Sequence, residues 1–155
     1  MKVYIIYDRY EHNEFITIYN ISKSMKEFKK DYKDEIRSFL EMGPDDCHTF
    51  VGQIVNVNDD QLEVLEDYWN SEDPDDSHPG FNLMEEIWSK NSSKNCLFMI
   101  DSYDNTKVFE EYMSEQHPDI EEETDEWYEL EEEFYDNDTL YETELTKYID
   151  RNYQL

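Results

Sequence analysis

Between Glu110 and Glu144 the chain carries 17 carboxylates and not one lysine or arginine. Acids four apart on a helix repel by about 0.2–0.5 kcal/mol per pair. Such a segment folds only if an apolar stripe holds it against something else while its charges face outward. The imbalance is regional. Residues 1–43 hold 8 Lys/Arg and 8 Asp/Glu, residues 44–155 hold 5 and 33, and the second stretch therefore carries the whole net charge of −28. A domain of this size stays in solution with about 2 to 8 net charges. The surplus raises the energy of a compact state by self-repulsion, so it is either bathed in ions or presented to something. Halophilic adaptation would not leave the first 43 residues neutral.

High charge with low mean hydropathy usually means disorder, but disordered chains lack aromatic and β-branched residues. Here 13 Tyr, 8 Phe and 3 Trp supply a core, and 155 residues suit one domain. Lys2–Tyr10 and Glu14–Ile21 are β-branched and aromatic, and Glu11-His12-Asn13 between them suits an antiparallel hairpin. Ser24 and Glu27 form a capping box for a helix with apolar residues at Met25, Phe28, Tyr32, Ile36, Phe39 and Leu40, ended by Gly43-Pro44. His48–Val57 reads as a third strand, and Asp60–Asn70 as a helix with Leu62, Leu65, Tyr68 and Trp69 inward. Ser71–Gly80 is a loop, Leu83–Lys90 a short helix, and Cys96–Ile100 a central strand. From Thr106 onward the pattern is helical, with Thr106 and Thr124 as caps and a second capping box at Thr139–Glu142. The final helix buries Leu140, Tyr141, Leu145, Tyr148 and Ile149. The expected fold is α+β: a small, mainly antiparallel sheet opened by a ββα unit, with an acidic helical C-terminal third. Residues 1–105 form the core and 106–155 pack on it, as one compact domain.

Several function classes are set aside by composition. No apolar run reaches the roughly 18 residues of a membrane span, and Met1–Asp8 is too short and too soon charged for a signal peptide, so the expected location is the cytoplasm. Cys47 and Cys96 match no metal spacing and read as reduced, partly buried thiols. His12, His48, His78 and His117 have no partner at ligand or triad spacing and read as surface or loop residues. Asp73-Pro74-Asp75-Asp76 and Asp136-Asn137-Asp138 lack the glycine and terminal glutamate of a calcium loop. With 3 glycines there is no phosphate-binding loop. Carboxylate pairs are too abundant to single out a general acid and base. We therefore expect no catalysis, no cofactor and no metal site.

An acidic surface is repelled by nucleic acid and by anionic membranes, which leaves basic proteins as partners. On a helix through residues 125–136, Trp127, Leu130 and Phe134 share the packing face. Asp125, Glu129, Glu132 and Asp136 share the opposite one, with Glu126 and Glu133 as a flanking row. At 1.5 Å rise per residue these four carboxylates span about 16 Å, one every ~5 to 6 Å. That approximates every second phosphate along a DNA strand, at about 3.4 Å per phosphate. Tyr128 and Tyr135, one heptad apart at the margin of that face, offer flat anchors to arginine. The candidate partner-binding patch is completed by Glu110, Glu111, Glu115, Asp119, Glu121, Glu122, Glu123 and Asp138, helped by Asp73, Asp75 and Asp76.

In Val3-Tyr4-Ile5, Tyr10, Asn13-Glu14 and the helix from Ser24 through Phe28 and Ile36, and in its length and acidity, the chain resembles the ArdA-like DNA-mimic antirestriction proteins of phages and mobile elements. The run Tyr128–Leu145 is similar to acidic helical tails of other phage inhibitors, including some anti-CRISPR proteins. The resemblance covers about a quarter of the chain, and only the general acidic surface carries over from it. It implies a stoichiometric inhibitor of a host restriction or CRISPR nuclease, acting in the cytoplasm of the infected or element-carrying cell by filling the DNA groove. The sequence leaves open an immunity protein or antitoxin that covers a basic nuclease toxin, and an adaptor that keeps its acid for solubility. It also leaves open a homodimer.

Overall fold

The computed structural model describes residues 1–11, 15–42, 47–72 and 74–155. The fold is α+β. Four antiparallel strands, β1 (Lys2–Tyr10), β2 (Phe15–Ser22), β3 (His48–Asn56) and β4 (Cys96–Asp101), lie in the order β2-β1-β3-β4. The helices are α1 (Met25–Glu41), α2 (Asp59–Asn70), α3 (Pro79–Ser89), α4 (Asn105–Gln116), α5 (Asp125–Asp136) and α6 (Asp138–Asn152). They cover both faces of the sheet.

The strand sequences explain that coverage. In β1, Ile5, Ile6 and Tyr7 are consecutive and all fully buried. Successive side chains point to opposite faces, so a continuous apolar run demands cover on both. On one side Ile6, Phe50, Phe98 and Ile100 join a single apolar cluster with α1, which lies against the sheet, and with residues of α4, α5 and α6. On the other, Val3, Ile5, Tyr7, Ile16, Ile18 and Val51 meet α2 and α3. Two glycines allow the closest approaches. A Cβ on Gly52 would lie 2.5 Å from the Phe98 ring, and one on Gly80 would lie 2.5 Å from Tyr68, so β4 and α3 sit where only glycine leaves room.

Most sequence-predicted elements are present, and the differences have physical causes. The run CLFMI reads as a central strand, yet β4 is an edge strand with Met99 45% exposed, because its apolar residues serve mainly the α1 side. Helix α3 starts at Pro79, four residues before the expected Leu83: Pro79 occupies the first turn and His78 Nδ1 caps it by accepting from Gly80 N–H at 2.9 Å. Trp69 is not inward but 38% exposed, one position round the helix from Tyr68. Tyr68 instead donates its hydroxyl hydrogen to the Ile16 carbonyl.

Capping follows the same pattern of near agreement. Ser24 Oγ accepts from Glu27 N–H at 3.1 Å, while Glu27 reaches past Ser24 to accept from Lys23 N–H. Thr124 caps α5 through Trp127 N–H. Thr106 does not cap α4; a 3₁₀ turn over Ser102–Asp104 runs straight into that helix, and Thr106 Oγ donates to the Tyr103 carbonyl. Thr139 is inside α6, whose cap is Asn137, accepting from Leu140 N–H at 3.1 Å. Both Asn137 and Thr139 are competent caps, and the earlier one wins because the chain turns there in a single residue. The helix stop at Gly43-Pro44, the hairpin residues His12, Asn13 and Glu14, and Asp73 lie outside the described residues.

The acidic third shares its core with the sheet rather than forming a separate unit. Phe134 is fully buried, with ring centroids 4.9 Å from Tyr112 and 5.3 Å from Phe109. Polar ties run from α1 to α6: Lys33 to Asp150 at 2.8 Å, Arg37 to Glu142 at 2.7 Å, and Tyr32 hydroxyl to the Tyr153 carbonyl at 3.0 Å. Phe134→Ala is expected to cost about 3–5 kcal/mol in urea unfolding, the usual loss for a buried aromatic. A chain ended at residue 105 is expected to unfold at a clearly lower urea midpoint than the full chain, since the buried side of α1 would lose its ties to α6 and the shared cluster would lose Phe109, Phe134, Leu145 and Ile149; an unchanged midpoint would contradict the shared core.

Candidate functional site

Helix α5 divides into four strips, at about 100° per residue. Trp127 and Phe134 are buried and Leu130 half-buried, which fixes the inward side. Opposite them Asp125, Glu129, Glu132 and Asp136 are all exposed, as the periodicity predicts. Glu126 and Glu133 form an exposed strip along one flank. Tyr128, Glu131 and Tyr135, at i, i+3 and i+7, form the other flank and face a cleft of about 590 Å³. Among the described residues no ion pair reaches any carboxylate of α5. Like charges at i, i+3 and i+4 therefore stand uncompensated.

Besides α5, the cleft draws on four parts of the chain. Helix α4 contributes Phe109 and Glu110, the 117–124 connection contributes Glu122 and Glu123, α1 ends there with Glu41, and α6 adds Tyr141. Its walls are aromatic. Trp127 meets Phe109 edge-on at 5.0 Å, and Tyr135 lies 6.2 Å from Phe109 and 5.6 Å from Tyr141. Tyr128 is different: it is 52% exposed and, among the described residues, has neither a ring neighbour nor a side-chain hydrogen bond. Glu123 takes a left-handed backbone, φ 64°, at the cleft edge.

The field in this region is anionic. Burial pushes the Tyr135 phenol up to about 12, and Tyr141, Glu131 and Glu110 push in the same direction. Tyr141 is raised by burial and then by Glu41 and Glu142. Glu41 itself is raised, first by burial and then by a hydrogen bond to Glu142 and its charge, with Arg37 opposing. Both phenols thus stay neutral through the physiological range.

The remaining predicted patch residues divide in two. Asp119, Glu121 and Asp138 are exposed without ion pairs among the described residues. Glu111 and Glu115 are engaged inside the molecule: Arg151 of α6 reaches Glu111 at 3.4 Å and Glu115 at 2.5 Å, tying α6 to α4. Glu41, Glu131 and Tyr141 also line the cleft and stand outside the patch expected from the sequence. Glu131 was readable from its spacing to Tyr128 and Tyr135, whereas Glu41 comes from the end of another helix and has no such signal. Asp75 and Asp76 lie in the connection before α3, where Asp75 accepts from Ser77 N–H at 2.9 Å.

The histidines are more engaged than their spacing suggests. His48 is in β3, with Nδ1 2.8 Å from Asp8 Oδ2 and its ring stacked 4.5 Å from Tyr10. His78 caps α3 and places Nε2 2.7 Å from Asp67. His117 ends α4, edge-on to Tyr112. His12 lies outside the described residues. Cys47 and Cys96 are half-buried thiols. Among the described residues no three His, Cys, Asp or Glu side chains gather closely enough to hold a metal ion, and no helix is long and apolar enough to cross a membrane.

Comparison with known proteins finds no matching family model, no matching curated protein and no matching solved structure.

Glu41 generates a pH test. A carboxyl whose folded-state pKa is raised favours the fold when protonated, and that contribution is lost as pH rises through the folded value. Glu41→Gln is therefore expected to raise the thermal midpoint at pH 7, with the advantage gone below about pH 4, where carboxyls are protonated in either state. An unchanged midpoint at pH 7 would show that the Glu41–Glu142 repulsion is absent.

Proposed function

We propose that this protein is a non-catalytic, stoichiometric inhibitor that occupies the nucleic-acid groove of a basic protein, with its carboxylates in the positions of phosphates. The observation that carries the reading is the outer strip of α5: four exposed acids on a buried-core helix, without ion pairs among the described residues. A helix that needed only solvation would interleave lysine or arginine at i+4 and gain stability from it. Here that stabilisation is forgone along the whole helix, while two of the five cations of α1, Lys33 and Arg37, pair with α6. A groove lined by Lys and Arg recovers it on binding.

The targets that fit are nucleases and other nucleic-acid-binding defence enzymes, and the place of action is the cytoplasm. Opposite potentials raise the association rate more than the final affinity, and the effect fades as salt shortens the screening length from about 8 Å at physiological strength to about 3 Å at 1 M. Duplex DNA competes for the same groove.

The test is capture of host-cell proteins on the immobilised full chain, with and without duplex DNA, at stepped salt. We expect nucleic-acid-binding proteins to be retained, displaced by DNA and released by about 1 M NaCl. Glu129→Lys combined with Glu132→Lys is expected to reduce capture at least about tenfold while thermal stability stays level or rises, because each lysine gains acidic neighbours. Retention that is indifferent to both DNA and salt would overturn the reading.

A further inference from the structure

Resting on the proposed function, the geometry points to a specific contact: we propose that the aromatic cleft beside α5 takes an arginine side chain from the partner protein. The cleft is about 590 Å³, within the range of sites that enclose a side chain and the residues flanking it. Its rings and its carboxylates do different things. Phe109 and Trp127, almost wholly buried, form its floor, while Tyr135 and Tyr128 stand exposed at its side, Tyr128 with no ring partner and no side-chain hydrogen bond among the described residues. Glu110 and Glu131 close the rim from α4 and α5, and among the described residues neither has an ion-pair partner.

A guanidinium matches both halves of this lining. It is planar and weakly hydrated, so it gives up water readily and stacks on aromatic faces. Its forked donors pair with a carboxylate in two parallel hydrogen bonds. A lysine ammonium is compact, strongly hydrated and lacks the planar stack, so the cleft discriminates between the two cations in a way that the outer strip of α5, a row of separate charges in water, does not. The outer strip supplies long-range attraction and the cleft supplies a fixed point, which sets where along its groove the partner stops.

The probes are two blocked tripeptides, Gly-Arg-Gly and Gly-Lys-Gly, added to the full-length protein at physiological salt and followed by residue-resolved NMR shifts, including the Trp127 indole N–H. The arginine peptide is expected to saturate with a Kd of about 1 mM or below and to shift Trp127, Tyr128 and Tyr135. It is expected to bind about tenfold more tightly than the lysine peptide, a preference of the size that a desolvated cation–π contact supports. Tyr128→Ala, at an exposed side chain, should remove most of that preference, and Glu131→Gln should weaken binding without abolishing it. The pair Glu129→Lys, Glu132→Lys should leave the arginine peptide seated. Equal binding of the two peptides, or shifts spread along the outer strip without saturation at Trp127, would overturn the cleft as an arginine site. If the peptides fail while DNA-sensitive capture succeeds, only the cleft assignment falls. If the arginine peptide seats in the cleft while capture ignores DNA, the cleft stands and the groove-filling reading falls.

Discussion

A seam of aromatic rings is what allows an uncompensated acidic helix to exist here at all. Phe109, Tyr112, Trp127 and Phe134 lock α4 and α5 together, and Phe134 reaches Tyr141 of α6 at 5.7 Å. Burying one such side chain is worth about 1.5–3 kcal/mol, against a few tenths for each like-charged pair on the surface. A handful of rings therefore outweighs the repulsion along α5. The acid is tolerated because the core beneath it is aromatic, and the dense aromatic content of the sequence is explained by the same balance.

The distribution of cations completes that balance. Lys33 and Arg37 are exposed or half-exposed on α1, and both are directed at α6. Arg151 then holds α6 to α4 through Glu111 and Glu115. Pairs of this kind contribute little each at the surface. Their effect here is on position: Lys33, Arg37 and Arg151 dock α6, Lys107 and Lys147 pair locally with Asp104 and Glu144, and among the described residues no cation pairs with α5. The neutral first part of the chain and the acidic remainder are two sides of one packing arrangement.

Much of this was legible in the residues. The ββα opening, the phase of α5 and its exposed outer strip follow from period-2 and period-3.6 patterns that need no tertiary information. What the pattern could not show had a tertiary cause. β4 reads as central because CLFMI is continuous in apolarity, and only the sheet order reveals that Met99 has nothing over it. Trp69 is large and apolar, and its exposure follows from where Tyr68 points. Pro79 and Gly80 look like loop residues until Gly80 is seen beneath Tyr68. Asp8 meets His48 from the neighbouring strand, a pairing that no local spacing reveals. The cleft is the extreme case: Glu41, Glu110, Glu131 and Tyr141 come from four helices, so no window of sequence contains it.

The single residue between α5 and α6 carries a further consequence. Asn137 closes one helix and, through its side chain, opens the next. A swing of α5 would have to break both caps and pull Phe134 from its neighbours, so the two helices travel as one corner piece. In the proposed role as an inhibitor, such a piece would meet its target already shaped. It loses little conformational freedom on docking, and the entropic toll that a floppy acidic tail would suffer is largely absent.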